Sequence, residues 1–422
     1  MMTTGKTDPD IAHHAALDER MVRAAGGIKV LTLASWPAAH ATAFLADHAR
    51  GVERLPQVAY PRHDFGEARA ELAAIARQAD PDHPLGQYLI DATGSWETAA
   101  RLCEALGTGA VTGLSRQLYG DPDAALPGNG PSARVAAQHF IGIADQFNRE
   151  LVSPAEQVEI SATALQLQLQ RDLDDYFNER RIEVVLDPDL IAKAAAGATR
   201  IRLRSGAAFT DYDRQQLLQH EAFVHSLSAL NGREQPVLGS LALASPRTTA
   251  TQEGLATFAE QITGTIDIAR MKRLSLRIEA IARALEGADF IEVFRFFLDA
   301  GQTPQEGFAS AQRVFRGVPT GGGDAFTKDT VYLRGLIGVH TFFRWALRQR
   351  QLRLCRWLFA GKMTLGDVQR LAPLFESGVL HPPRWLPTWV ARANGLAGML
   401  AFSLFANQIR LDTIEDTGFA DI

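Results

Sequence analysis

TRIRLRSGAAFTDYDRQQLLQHEAFVHSLSALNG, residues 199–232, is the stretch on which the reading of this chain turns. Its first seven residues alternate strictly. Ile201 and Leu203 fall on one face, and Arg200, Arg202 and Arg204 on the other. A period of two is the signature of a half-exposed strand, read here as an edge strand. Thr210 or Asp211 then caps a helix that runs to a stop at Asn231-Gly232. Just upstream, RIEVVLDP (181–188) is short, β-branched and closed by a proline, and it reads as another strand. A small antiparallel sheet directly ahead of one important helix is the local expectation.

That helix carries His220-Glu221-Ala222-Phe223-Val224-His225. The pattern is HExxxH, one residue longer than the HExxH of the zincins. In HExxH two histidines one turn apart bind a single zinc ion, and the adjacent glutamate acts on its water. Five residues of ideal α-helix rotate by about 500°, which leaves His220 and His225 pointing apart. A π-bulge, with its i→i+5 bond, returns both to one face. Composition alone gives an expected count of roughly 0.03 for such a match. Two open readings stand on the motif itself: a zinc pair, or two exposed or capping histidines. The order of strand then helix is also that of zincins, where an edge strand pairs with extended substrate.

A catalytic zinc needs a third protein ligand and one open position. TQEGLA (251–256) offers Glu253, 28 residues after His225 and near a helix start. The residues alone leave two roles for it, a metal ligand or a carboxylate complementing the helix dipole. Gly254 and Ala256 are small enough for two helices to approach closely. Glu260 lies seven residues on, on the same face, where it can orient a ligand histidine, and Gln252 is its companion beside the ligand.

Further out, GEARAELAAIARQAD (66–80) is an amphipathic helix with Leu72 and Ile75 inward. Ser35-Trp36-Pro37 breaks one helix and starts the next. GDPDAALPGNGPS (120–132) reads as a loop and a boundary, and most of 266–410 reads as helix. The expected organisation is a flexible tail at 1–16, a mostly helical region at 17–132, a zincin-like metallopeptidase domain at 133–410 and an acidic tail at 411–422. The fold class is α+β, predominantly helical.

The chain has 422 residues, 46% of them apolar and 22% charged, which argues for a folded globular protein. A net charge of −5 gives no bulk footprint for nucleic acid. Only Cys103 and Cys355 occur, without CxxC spacing, so a disulfide scaffold and a cysteine zinc site are both excluded. The uncharged run 393–409 contains Asn394, Asn407 and Gln408, and reads as a buried helix rather than a membrane span. The first twenty residues have no apolar core of a secretory signal, and the expected location is cytoplasmic.

HEAFVHSLSALNGREQP (220–236) followed by TTATQEGLATFAE (248–260) resembles the QEGLA-motif proteins of bacteria, also called flavohemoglobin expression-modulating. These are similar to the eukaryotic microtubule-associated tyrosine carboxypeptidases. The resemblance extends to LASWP (33–37), SRQLYGDP (115–122) and RVFRGVPTGGGDAFTKDTVYLRG (313–335), so it spans roughly 20 to 410. It implies zinc held by His220, His225 and Glu253, with Glu221 as the catalytic base. It also implies a carboxypeptidase acting on peptides or protein C-terminal tails. The eukaryotic branch carries a small residue where this chain has Phe223.

A carboxypeptidase must neutralise a terminal carboxylate, and arginine does this best through its fork. Arg316, Lys328 and Tyr332 are the candidates, with Arg313 nearby, Arg233 a weaker one, and PTGGGDAF (319–326) a loop over the cleft. Against these stand a solvated helix end for the arginines and a core role for Tyr332. His340 lies in an apolar run and reads as a core histidine, and His13-His14 as tail. The arginine-rich stretch 344–357 reads as a solvated helix face. Two other functions remain open: another zinc hydrolase (an aminopeptidase or amide hydrolase), and a non-catalytic regulatory protein with structural zinc.

Overall fold

The computed structural model describes residues 9–147, 159–188, 190 and 193–408, and is predominantly helical with small sheets. Among the described residues the strands are β1 (Ala125–Leu126), β2 (Gly130–Ser132), β3 (Ile160–Ser161), β4 (Glu183–Asp187), β5 (Ala194–Ala196), β6 (Arg200–Arg204) and β7 (Ala208–Phe209). The alternating segment is β6, with Ile201 and Leu203 buried and Arg200 and Arg202 exposed.

Two details of the sheet differ from the sequence reading. β6 is central, in the order β4-β6-β5, and the sheet is mixed: β4 pairs parallel to β6, and β5 antiparallel. Alternation reports which faces meet solvent, and carries no information about hydrogen-bonded neighbours. The loop at 120–132 contains the short antiparallel pair β1-β2.

The long helix after β7 has three parts: α-helix Asp211–Leu217, π-helix Leu218–Ser226 and α-helix Leu227–Arg233. We call it the ligand helix. Thr210 caps it in a reciprocal box with Asp213. Asn231 does not stop it. Its amide is buried, donates to the carbonyls of Phe359 and Trp385, and accepts from the amides of Arg384 and Trp385.

Three apolar clusters hold the molecule. One joins the N-terminal helices to the helices between Leu276 and Leu380. A second surrounds helix Thr249–Ile262, here the carboxylate helix, and helix Val331–Arg348, here the crossing helix. A third lies between helix Ala162–Phe177 and the sheet. The ligand helix is wedged between the last two: Val224 enters the helical cluster, while Ala222, Phe223 and Leu227 enter the sheet cluster.

The carboxylate and crossing helices touch backbone to backbone. A Cβ placed on Gly254 would lie 2.3 Å from the Gly335 carbonyl. Only glycine permits this approach, as the small residues of TQEGLA suggest. Leu72 and Ile75 are buried on helix Gly66–Gln78, also as expected.

Two other expectations are corrected. Residues 9–16 are not tail but the start of helix Pro9–Ala25. His14 is buried there, donates to the Asp10 carbonyl at 2.7 Å and stacks on His83. Residues 1–8 and the expected acidic tail at 411–422 lie outside the described residues. The C-terminal helix Ala393–Ala406 buries only Leu396 and Leu400, and exposes Phe402 and Phe405. No described helix is long and apolar enough to cross a membrane. The glycine loop at 321–323 is fastened: Gly323 donates to the Ala284 carbonyl and Asp324 accepts from Thr112.

Asp18 ties the first helix to the turn that follows the ligand helix, accepting from the Ser240 amide at 3.0 Å. Burial pushes its carboxyl up to about 6, against the opposing hydrogen bonds from Ser240. The folded state therefore binds this proton more tightly than the unfolded chain. Its stabilising effect is complete below the unfolded pKa of 3.8 and is lost as pH rises through about 6. Relative to Asp18→Asn, the parent's unfolding free energy should drop by about 2–3 kcal/mol between pH 4 and pH 7. Denaturant melts of both proteins at several pH values measure it, and a constant difference would contradict the assignment.

Candidate metal centre

The i→i+5 register of Leu218–Ser226 places His220 and His225 side by side. Their ring centroids lie 4.9 Å apart at an interplanar angle of 85°. Glu253, on the second turn of the carboxylate helix, completes the group. One ligand atom from each of the three lies within 4.8 Å of the others. Glu253 Oε2 is 3.5 Å from His220 Nε2 and 3.8 Å from His225 Nε2. Both separations are longer than a good hydrogen bond. They are near the donor–donor edge of about 3.3 Å that a tetrahedron with zinc bond lengths requires. The donor set, two imidazoles and a carboxylate, is that of a catalytic zinc site with one position left.

Two of the three candidate ligands are oriented by a partner. His220 Nδ1 and Glu260 Oε1 lie 2.6 Å apart, so Nδ1 donates and Nε2 is turned toward Glu253. Arg270 forks onto the same carboxylate, with contacts of 2.5 and 2.7 Å. Lys328 Nζ donates to Glu253 Oε1 at 3.1 Å, leaving Oε2 for the imidazoles. Burial opposes ionisation of Glu253, but Lys328 and the two histidines outweigh it and hold the carboxyl well below its usual range. Burial likewise opposes a charged His220, but the neighbouring Glu253 and Glu260 carboxylates raise it to about 10. A bound cation would take the place of that proton.

The remaining candidates fall into place around this group. Glu221 is half-buried, within electrostatic reach of His220, Arg270 and Lys362. Tyr332 opens the crossing helix, and Lys328 Nζ sits 5.1 Å from its ring centre. Arg316 is beside Arg313, Asp329 and Tyr332, and its Nε is buried without a hydrogen-bond partner. Gln252 is buried too, with both amide atoms unpartnered, and it does not touch the ligands through any hydrogen bond. His340 is half-buried and packs on Phe258, outside the three-residue group.

The sequence reading missed Arg270 and Arg277, Asp329 and Lys362. A signal existed for the first two. They are seven residues apart on helix Ile268–Leu285, the same face two turns later, in an otherwise apolar stripe. Nothing local marked Asp329, which accepts the Arg313 fork at 2.6 and 2.7 Å.

The profile of the microtubule-associated tyrosine carboxypeptidase family matches residues 42–408, most of the chain. This chain belongs to that family. Membership makes it carboxypeptidase-like. Among solved structures, metallocarboxypeptidase 1 of Trypanosoma cruzi aligns over 94% of this chain and 98% of its own, at 13% identity and a TM-score of 0.39. No curated protein sequence matches the chain.

Phe223, in the middle of HExxxH, is buried. Its ring packs on Tyr176 at 4.8 Å within the sheet cluster. It thus fills the core behind the ligand helix.

Glu260 is fully buried and is the only carboxylate that Arg270 meets in an ion pair among the described residues. Glu260→Ala should lower stability by roughly 3–5 kcal/mol, because it strands a buried guanidinium. Chemical denaturation of the metal-free protein measures this. A loss below 1 kcal/mol would mean that the pair is not a structural anchor.

Proposed function

We propose that this chain is a zinc-dependent metallocarboxypeptidase that trims the C-terminal tails of peptides or proteins. The observation that carries the reading is the convergence of His220, His225 and Glu253 across the π-register. In this reading those three hold the ion and Glu221 is the general base. Zinc at this position supplies Lewis acidity, which lowers the pKa of water to about 7 and polarises a carbonyl.

The protein's own groups do the rest. Glu260 fixes the His220 tautomer, and Lys328 fixes the orientation of the Glu253 carboxylate. Glu221 takes the proton of the attacking water at its carboxylate and delivers it to the leaving amine nitrogen. Such help is typically worth ~10²–10⁴ in rate. Arg316, Lys328 and Tyr332 receive the substrate's terminal carboxylate.

Arg277, Arg313, Arg316 and Lys328 gather here against Asp329 and Glu253, an excess of cations that favours a carboxypeptidase over an aminopeptidase. No fourth His, Cys, Asp or Glu joins the three-residue group among the described residues. That favours an open coordination position over a purely structural ion. Cys103 and Cys355 are free, buried thiols, in keeping with a cytoplasmic location.

Metal analysis of purified protein should find one zinc per chain, and a result without any transition metal refutes the site. A peptide-library digest read by mass spectrometry should show single residues lost from C-termini, abolished by a chelator. Glu221→Gln should keep its zinc and lose at least ~10²-fold in kcat. Equal turnover by variant and parent would remove Glu221 from the role of base.

A further inference from the structure

A cavity of about 340 Å³ opens beside the ligand helix, and none of its lining residues belongs to the metal group. Its volume is that of a small-molecule site. Phe223, Ile262, Trp389, Leu396 and Met399 give it an apolar lining. They come from the π-register of the ligand helix, the last residue of the carboxylate helix, and the segment 388–399. Trp389 is braced by Phe258, Phe343 and Phe359, whose ring centres lie 5.7, 6.3 and 5.9 Å away. That wall is fixed before anything binds. Met399, exposed and unbranched, is the side that yields.

The hydrogen-bond donors gather at one stretch of chain. Thr388, Trp389 and Arg392 offer a hydroxyl, an indole N–H and a guanidinium. Trp389 Nε1 is a buried donor with no partner, a cost that a bound acceptor removes. Arg392 is exposed and forms no ion pair among the described residues. It is also the only charged residue in the lining, so no described carboxylate there opposes an anion.

We propose that this cavity binds a straight-chain alkyl carboxylate of medium length. Its hydrocarbon tail lies on the apolar wall, and its carboxylate meets Arg392 and the Trp389 N–H. An amine finds no counter-charge here, and an alcohol leaves the guanidinium unmatched. The occupant also packs on Phe223, inside the nine-residue π-register, so binding steadies the segment that presents His220 and His225. Binding needs neither metal nor turnover, so its test is separate from that of the peptidase reading.

Calorimetric titration of the full-length, metal-free protein with hexanoate, octanoate and decanoate should show one saturable site. Affinity should rise roughly tenfold for each two methylenes added, until the cavity is full. Octanol and octylammonium should bind at least about tenfold more weakly than octanoate. Arg392→Gln should abolish the preference for octanoate over octanol while octanol's own affinity stays within a few-fold. Gly395→Leu is the plug. A Cβ added at Gly395 meets nothing within 4 Å, and leucine suits a helix better than glycine. This variant should melt no lower than the parent and lose octanoate binding. Hydrogen exchange gives a second readout: octanoate should slow residues 218–226 and 388–399 in the parent, and not in Gly395→Leu.

Octanol binding as tightly as octanoate, or an unchanged octanoate affinity in Arg392→Gln, overturns the carboxylate assignment. Protection confined to the exposed Phe402 and Phe405, or octanoate binding that survives Gly395→Leu, places the ligand outside the cavity and overturns the site. Absence of binding by all three acids does the same. Should Gly395→Leu fail to fold, the exchange pattern of the parent and the Arg392→Gln comparison decide.

Discussion

One helix running in i→i+5 register for nine residues is the constraint on which the rest of this centre depends. Without it His220 and His225 diverge, and Glu253 has a single imidazole to face. A π-register is intrinsically unfavourable and rare beyond one turn. Here it is held from both sides. Val224 packs into the helical cluster, and Ala222, Phe223 and Leu227 pack into the sheet cluster. Ser226 adds a hydrogen bond to the Gly197 carbonyl, next to β5. The register is therefore a property of tertiary packing more than of local propensity.

The carboxylate arrives by a second constraint. Gly254 and Gly335 let two helices meet at backbone distance, and this seats Glu253 opposite the imidazoles. Charge then stabilises the arrangement. Glu260 lies between His220 and Arg270, while Glu253 lies between the histidines and Lys328. Each carboxylate thus sits between a histidine and a cation.

Much of this was legible from residues 199–260. Strict alternation gave β6, the cap gave the helix start, and the five-residue histidine spacing demanded a π-turn. Glu260 could be placed beside His220 because seven residues return to one helix face. What could not be read depends on contacts distant in sequence. The parallel pairing of β4 with β6 has no local signature. Asn231 looks like a helix stop, yet it clamps residues more than a hundred positions away. His14 looks like tail until the Asp80 amide is seen to donate to it. The exposed face of helix Ala393–Ala406 was hidden because uncharged sequence looks the same whether covered or bare.

The most direct test of the account is the zinc K-edge X-ray absorption spectrum of the metal-loaded protein. The expected result is four-coordinate zinc with only nitrogen and oxygen neighbours at about 2.0–2.1 Å, and outer-shell scattering from two imidazoles. His225→Ala should remove one imidazole and leave the other. A spectrum with a single imidazole or none in the unmodified protein would mean that the two histidines do not share an ion, and the account would fail.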